Sequence, residues 1–256
     1  MMVDSLIQLF ADPGVSPSLV YDAQTGGNQA IVSFAKTIKI PYASPTIGIH
    51  LFASSERRSQ SLMQILGVSK QEADNLLGIQ YGSKGVLAIQ HFPTQTIWAR
   101  LDEPAFGSGS PGWSPGKIIA HEIFHLWQHQ LVKEQWHQQL DPAWLQEGSA
   151  EYFAFSVGIA ANLFTDGQVT QYCNWAIGEN GAQLPRLEEM ERYDDFDRTN
   201  NRLNGAVYCM LYIYFKKLLR DNPSGIKTYY QLRSQGILWR EAFEKSFGTG
   251  PELDLS

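Results

Sequence analysis

The most constraining feature of the chain lies near its middle, where residues 121–125 read His-Glu-Ile-Phe-His inside a strongly apolar run that follows Ser114-Pro115. Ser-Pro is a good N-cap and first-turn pair, and the run behind it is predicted to be a buried helix. A spacing of four residues puts His121 and His125 on one helical face, one turn apart, where both imidazoles can chelate a single ion. Glu122 is rotated about 100° from His121, which sets its carboxylate beside the open position of such an ion rather than on it. A carboxylate there can accept a proton from water. His129 continues the same face, but eight residues of helix span about 12 Å, too far to share an ion with His121. The third ligand has to come from another element.

That element is predicted to be a helix opened by Asp141-Pro142 and running through Phe155, with the core sequence WLQEGSAEYF at residues 144–153. Glu147 and Glu151 lie one turn apart on one face. If this helix packs antiparallel to the first, Glu147 reaches the ion and completes the two-histidine, one-carboxylate set of catalytic zinc sites. Glu151 then sits behind it and accepts the second ring N–H of a ligand histidine, His121, fixing its tautomer. The small pair Gly148 and Ala150 is expected to let the helices approach closely.

The rest of the chain gives these helices a setting. Residues 17–23 (PSLVYDA) read as a short strand and residues 28–39 as a helix with an extended exit. Residues 46–52, 85–91 and 96–101 alternate or are rich in β-branched residues and read as strands. Residues 55–66 read as a helix stopped by Gly67, and Ser69 with Glu72 as a capping box for the next one. Residues 104–116 are Gly/Ser/Pro-rich and read as a loop, either a gate over the cleft or a passive connector. Helices are expected at residues 203–219, 224–234 and 238–247. The expected fold is therefore α+β, one unit over residues 1–256, with an α/β half (1–135) and a helical half (136–256) closing around one cleft.

Composition narrows the partners. A chain that is 43% hydrophobic and 18% charged is not disordered as a whole. A net charge of −6 without a long basic run speaks against nucleic acid and anionic membrane surfaces. No apolar stretch is long enough for a membrane span. The first residues lack the features of a signal peptide, so a cytoplasmic protein is expected, or a secreted or periplasmic one if an export signal has been removed. Cys173 and Cys209 fit no metal or redox motif and read as small buried apolar residues.

The two motifs together, HEIFH and, about twenty residues on, P-x-W-L-x-E-G-x-A-E-Y-F, resemble the gluzincin (thermolysin- and aminopeptidase-like) zinc metallopeptidases, and within them most closely the peptidase MA-like domains. GILWREAFEKSFG at residues 236–248 is similar to the closing helix of those domains. The resemblance covers roughly residues 80–248, and only the zinc-site motifs in it are specific. It implies a zincin-like fold, a small twisted mixed sheet with an active-site helix followed by an all-helical subdomain. It also implies a bound Zn²⁺, a peptide or protein substrate and peptide-bond hydrolysis, with Glu122 as general base. An edge strand that binds extended substrate would fall at residues 85–90, including Gly85, Val86, Leu87 and Ala88. The related aminopeptidases carry a Gly-x-Met-Glu-Asn signature there, whose glutamate holds the substrate's free amine. Its absence points to endopeptidase-like action. The family's oxyanion donor is a Tyr or His three residues before a Gly on a later helix. Gly205 is preceded at that distance by Arg202, which leaves Arg202, Tyr208 and Tyr193 as candidates. The alternatives are a zinc-containing domain that binds peptides without turnover, and a hydrolase of a non-peptide substrate.

Overall fold

A mixed four-stranded sheet leads the chain and ten helices surround and follow it among the described residues. The computed structural model describes residues 6–34, 36, 46–77, 87–132, 141–179, 184–203 and 205–252. The strands are β1 (Ile7–Ala11), β2 (Ile47–Phe52), β3 (Ala88–His91) and β4 (Thr96–Arg100), in the spatial order β1-β2-β4-β3. β1, β2 and β4 run parallel, and β3 pairs antiparallel with β4 at the sheet edge. Side chains alternate across the sheet, as a period of two requires. Ile49, Leu51, Ile97 and Ala99 enter the main core, whereas Phe52 and Trp98 face a second, smaller cluster. That cluster is closed by Leu62 of α2 (Ser55–Leu66) and Ala73 of α3 (Lys70–Leu76).

On the main-core side lies α1 (Pro17–Ser33), against which α4 (Pro115–Val132) packs closely. Glycine permits this crossing: a Cβ on Gly26 would stand 2.2 Å from the carbonyl oxygen of Gly116. Ser114 caps α4, its Oγ accepting from the Lys117 N–H at 3.3 Å. The helical half follows as α5 (Ala143–Ala160), α6 (Asp166–Glu179), α7 (Tyr193–Arg202), α8 (Ala206–Asp221), α9 (Gly225–Ser234) and α10 (Trp239–Phe247). α5 is buried almost all round, with α4 on one side and α8 on the other. A buried ion pair, Arg233 to Asp141 at 2.6 Å, ties α9 to the approach to α5. One continuous core runs from Ile7 to Phe247, so the two halves share it. No helix among the described residues is long and apolar enough to cross a membrane.

The mixed sheet, the capping box at Ser69 and Glu72, and the glycine stops at Gly67 and Gly248 match expectation. Other readings need correction. Residues 17–23 are the first turns of α1, not a strand: Ser16 caps them and Pro17 sits at the first helical position. β1 was not anticipated. α5 continues five residues past Phe155, and α8 begins at Ala206 because Gly205 turns the chain at φ 81°. Gly148 does not mediate the α4–α5 approach, since an added Cβ would strike Phe215 and Leu211 of α8. Residues 104–116 are not a free lid. Phe106 and Pro111 are buried, and Gly112 lies so close to Tyr172 of α6 that a Cβ would stand 2.2 Å from its hydroxyl. Gly85, Val86 and residues 133–140, where the two halves were expected to meet, lie outside the described residues.

Candidate metal centre

α4 and α5 pack antiparallel, and the side-chain pairs between them descend in register. Lys117 meets Glu151, His121 meets both Glu151 and Glu147, His125 meets Glu147, and Gln128 meets the Gln146 carbonyl. Positions 117, 121, 125 and 128 form one helical stripe, and 147 and 151 another, so the period of the helix alone aligns them. His121, His125 and Glu147 thereby form a group whose ligand atoms could hold a metal ion. The His121 Nε2 lies 3.0 Å from His125 Nε2 and 3.1 Å from Glu147 Oε2, and His125 Nε2 lies 3.5 Å from Glu147 Oε1. Adjacent donors on a tetrahedral zinc with bonds of about 2.0–2.2 Å stand about 3.3–3.6 Å apart, close to this spacing.

The partners behind the rings decide what their inner atoms are. Glu151 Oε2 lies 3.0 Å from His121 Nδ1 and accepts its proton. Gln128 directs its Nε2 at the Gln146 carbonyl (3.2 Å) and the Tyr230 hydroxyl (2.6 Å), which leaves its Oε1 to accept from His125 Nδ1 at 2.7 Å. Both neutral rings therefore turn an Nε2 lone pair inward, toward a carboxylate oxygen. Three acceptors converging in a buried site repel one another unless a cation stands among them. The residues present fit a divalent ion in this respect.

In the metal-free protein a proton supplies that cation. Burial works against charging His121, but hydrogen bonds to Glu147 and Glu151 outweigh it and push its pKa up to about 9. Burial likewise opposes the ionised form of Glu147, yet the histidines hold its pKa well below the usual carboxylate range. Glu151 stays ionised against its burial, chiefly through Lys117, whose Nζ lies 2.6 Å away. Lys117 is itself buried and stands 4.9 Å over the Phe155 ring.

Glu122 behaves differently. It is half-buried, and among the described residues no hydrogen bond ties it to the group. Burial raises its pKa, while nearby His125 and His121 pull it back. Tyr208, in the first turn of α8, donates to Glu147 Oε2 at 3.3 Å and sets its ring 5.9 Å from that of His121. Tyr193, first residue of α7, donates to Gln146 Oε1 at 3.0 Å. Burial raises both phenols well above their ordinary pKa, reinforced by Glu147, so both remain protonated donors.

Arg202, the candidate placed by its spacing from Gly205, is not brought to the group. It is exposed and borders a surface cleft of about 410 Å³ with Glu189, Asp195, Arg198 and Thr199. Leu87 and Ala88 lie at the edge strand as expected. The Leu87 carbonyl accepts from the Arg58 guanidinium at 3.0 Å and from the Arg100 N–H at 2.8 Å. His129 stacks on Phe92 with ring centroids 5.4 Å apart and is not one of the three converging residues. Lys117 and Gln128 escaped the sequence reading, although both are polar residues on the histidine stripe of an otherwise apolar helix. No protein-family model matches the chain, and no curated protein shows significant similarity to it.

Proposed function

We propose that the protein is a gluzincin-like zinc metallopeptidase that hydrolyses peptide bonds in endopeptidase fashion. The observation that carries this reading is the inward convergence of His121 Nε2, His125 Nε2 and the Glu147 carboxylate, with an uncommitted carboxylate, Glu122, beside them. Zinc, when bound, supplies a Lewis acid and lowers the pKa of its water toward about 7.

The chain's own residues do the rest. Glu122, its pKa raised by burial, accepts the proton of the attacking water and returns it to the departing amine. Tyr208, held protonated beside Glu147, offers its O–H to the oxyanion that develops on the scissile carbonyl. Tyr193 is a second donor on the same side. β3 is an antiparallel edge strand, suited to pairing with an extended backbone. It carries no glutamate over Ala88–His91 to hold a free amine, in keeping with internal cleavage.

The test uses zinc-loaded wild type and Glu122→Gln on a mixed peptide library read by mass spectrometry, with ester and epoxide substrates in parallel. Peptide cleavage that falls by about 10²–10⁴ in the variant supports the reading. Peptides bound but never cut would favour a binding domain, and turnover of esters or epoxides alone a different hydrolase.

A further inference from the structure

The edge strand β3 is pinned at both of its ends. At its start the Leu87 carbonyl takes two donors, the Arg58 guanidinium at 3.0 Å and the Arg100 N–H at 2.8 Å. At its far end Gln90 Nε2 donates to His129 Nε2 at 3.3 Å, and Phe92, just beyond, stacks on the same ring at 5.4 Å. His129 stands one helical turn from His125 on α4, so the strand is held alongside the helix that carries the two histidines.

The phase of the ladder decides which backbone groups β3 offers. Leu87 bonds to Arg100, and the antiparallel register continues with Ala88 opposite Ala99, Ile89 opposite Trp98 and Gln90 opposite Ile97. Hydrogen-bonded and non-bonded pairs alternate in such a ladder. Leu87 and Ile89 therefore turn their N–H and C=O toward β4, and Ala88 and Gln90 turn theirs to the free edge. β4 agrees with this phase, since the Leu101 N–H goes the other way, to Phe52 of β2.

Arg58 itself is fully buried on α2. Burial and the neighbouring Arg100 push its pKa down to about 10, against the pull of Asp102 and Glu122. Arg100 is buried too and holds Asp102, and Glu103 at 2.7 Å. An apolar side chain of similar volume often serves a fold as well as a buried charge does. The guanidinium needs a further reason, and its bond to the carbonyl that starts the edge strand supplies one.

We propose that Arg58 is a positioning residue for peptide hydrolysis: by holding the Leu87 carbonyl it fixes where Ala88 and Gln90 present their backbone groups to an extended substrate. This rests on the peptidase reading and deepens it, because the substrate is then bound as an added strand through its own N–H and C=O groups.

The experiment compares Arg58→Met and Arg58→Lys with the wild type, using one cleavable peptide and its analogues N-methylated at each residue in turn. Three quantities are read: kcat and KM of the zinc-loaded enzymes, dissociation constants by fluorescence titration in a Glu122→Gln background, and hydrogen exchange of the Ile89 amide in the metal-free proteins. In the wild type, methylation at alternate residues is expected to weaken binding about tenfold. In Arg58→Met that penalty is expected to shrink to about twofold, with KM raised, kcat within about twofold and the Ile89 amide exchanging faster. Arg58→Lys, which keeps the buried cation but has a shorter reach, is expected to fall between the two and carries the test if Arg58→Met does not fold. A merely structural role would weaken all the peptides together and leave the methylation ratio unmoved, which overturns the proposal. Unchanged Ile89 exchange in the folded variants also overturns it, and in both cases cleavage by the wild type leaves the peptidase reading standing. Strand-like binding that depends on Arg58 without any cleavage overturns the peptidase reading and leaves the positioning role standing. Failure to bind any peptide overturns both.

Discussion

Replacing Gln128 by Met keeps the length and apolar bulk of a fully buried side chain while removing its amide. In the protein that amide accepts from His125 Nδ1 at 2.7 Å and donates toward the Gln146 carbonyl, the Ser149 hydroxyl and the Tyr230 hydroxyl. Ser149 contacts both Gln146 O (3.2 Å) and the Tyr230 hydroxyl (3.3 Å), so these retain a partner. The His125 N–H keeps none. One orphaned buried donor costs about 1–3 kcal/mol of stability. The larger consequence falls on the metal, because the ring is no longer held with Nε2 inward. Loss of such a partner lowers metal affinity about 10- to 100-fold, or about 1.4–2.7 kcal/mol. Zinc titration against a competing chelator measures this, and urea unfolding of the metal-free variant measures the first term. A folded variant that binds zinc within about twofold of wild type would refute the claim that Gln128 sets the His125 tautomer.

Lys117→Met takes the ammonium from the buried Glu151 carboxylate, whose 2.6 Å pair with it is almost wholly shielded from water, and leaves His121 as its remaining partner. A loss of about 3–5 kcal/mol is expected in denaturant unfolding, and an unchanged midpoint would contradict the pairing. In the metal-free protein His121 titrates near 9 rather than 6.5. A raised folded pKa stabilises the fold fully below about 6.5 and loses that contribution as pH rises through about 9. Zinc has to displace the same proton, so its affinity should climb about tenfold per pH unit from about 7 to 9, and a flat profile by competition titration would count against it. Gly26→Ala drives a Cβ to 2.2 Å from the Gly116 carbonyl oxygen, where no flexible side chain can yield. The α1–α4 crossing should loosen by about 3 kcal/mol, seen as a fall of about 10 °C in Tm by circular dichroism.

How much of this was legible in the sequence depended on whether one helix could carry the signal. His121, His125, Glu147 and Glu151 follow from the 3.6-residue period of two helices, and the structure brings all four together. Gln128 and Lys117 lie on the same period, but a buried amide or ammonium has meaning only once its partners on α5 and α9 are known. The single α1 helix is hidden in the sequence because Gly26 and Gly27 oppose helix by intrinsic preference, whereas close packing of Gly26 against Gly116 and of Gly27 against Ile7 and Ile119 rewards them. β1 is five residues long with mixed burial, too short to show alternation. Arg202 was chosen by distance from Gly205 along the chain. Yet Gly205 adopts a left-handed turn that breaks α7 from α8, so the helical phase does not carry across it. Tyr208, past that turn, takes the position beside Glu147 instead.

Metal uptake by the stripped protein bears most directly on the central claim. Titrated with zinc, the wild type is predicted to bind one ion per chain tightly, and His121→Ala, His125→Ala and Glu147→Ala each to lose tight binding while staying folded. A chain that takes up no divalent ion, or holds one undiminished without Glu147, would contradict the account.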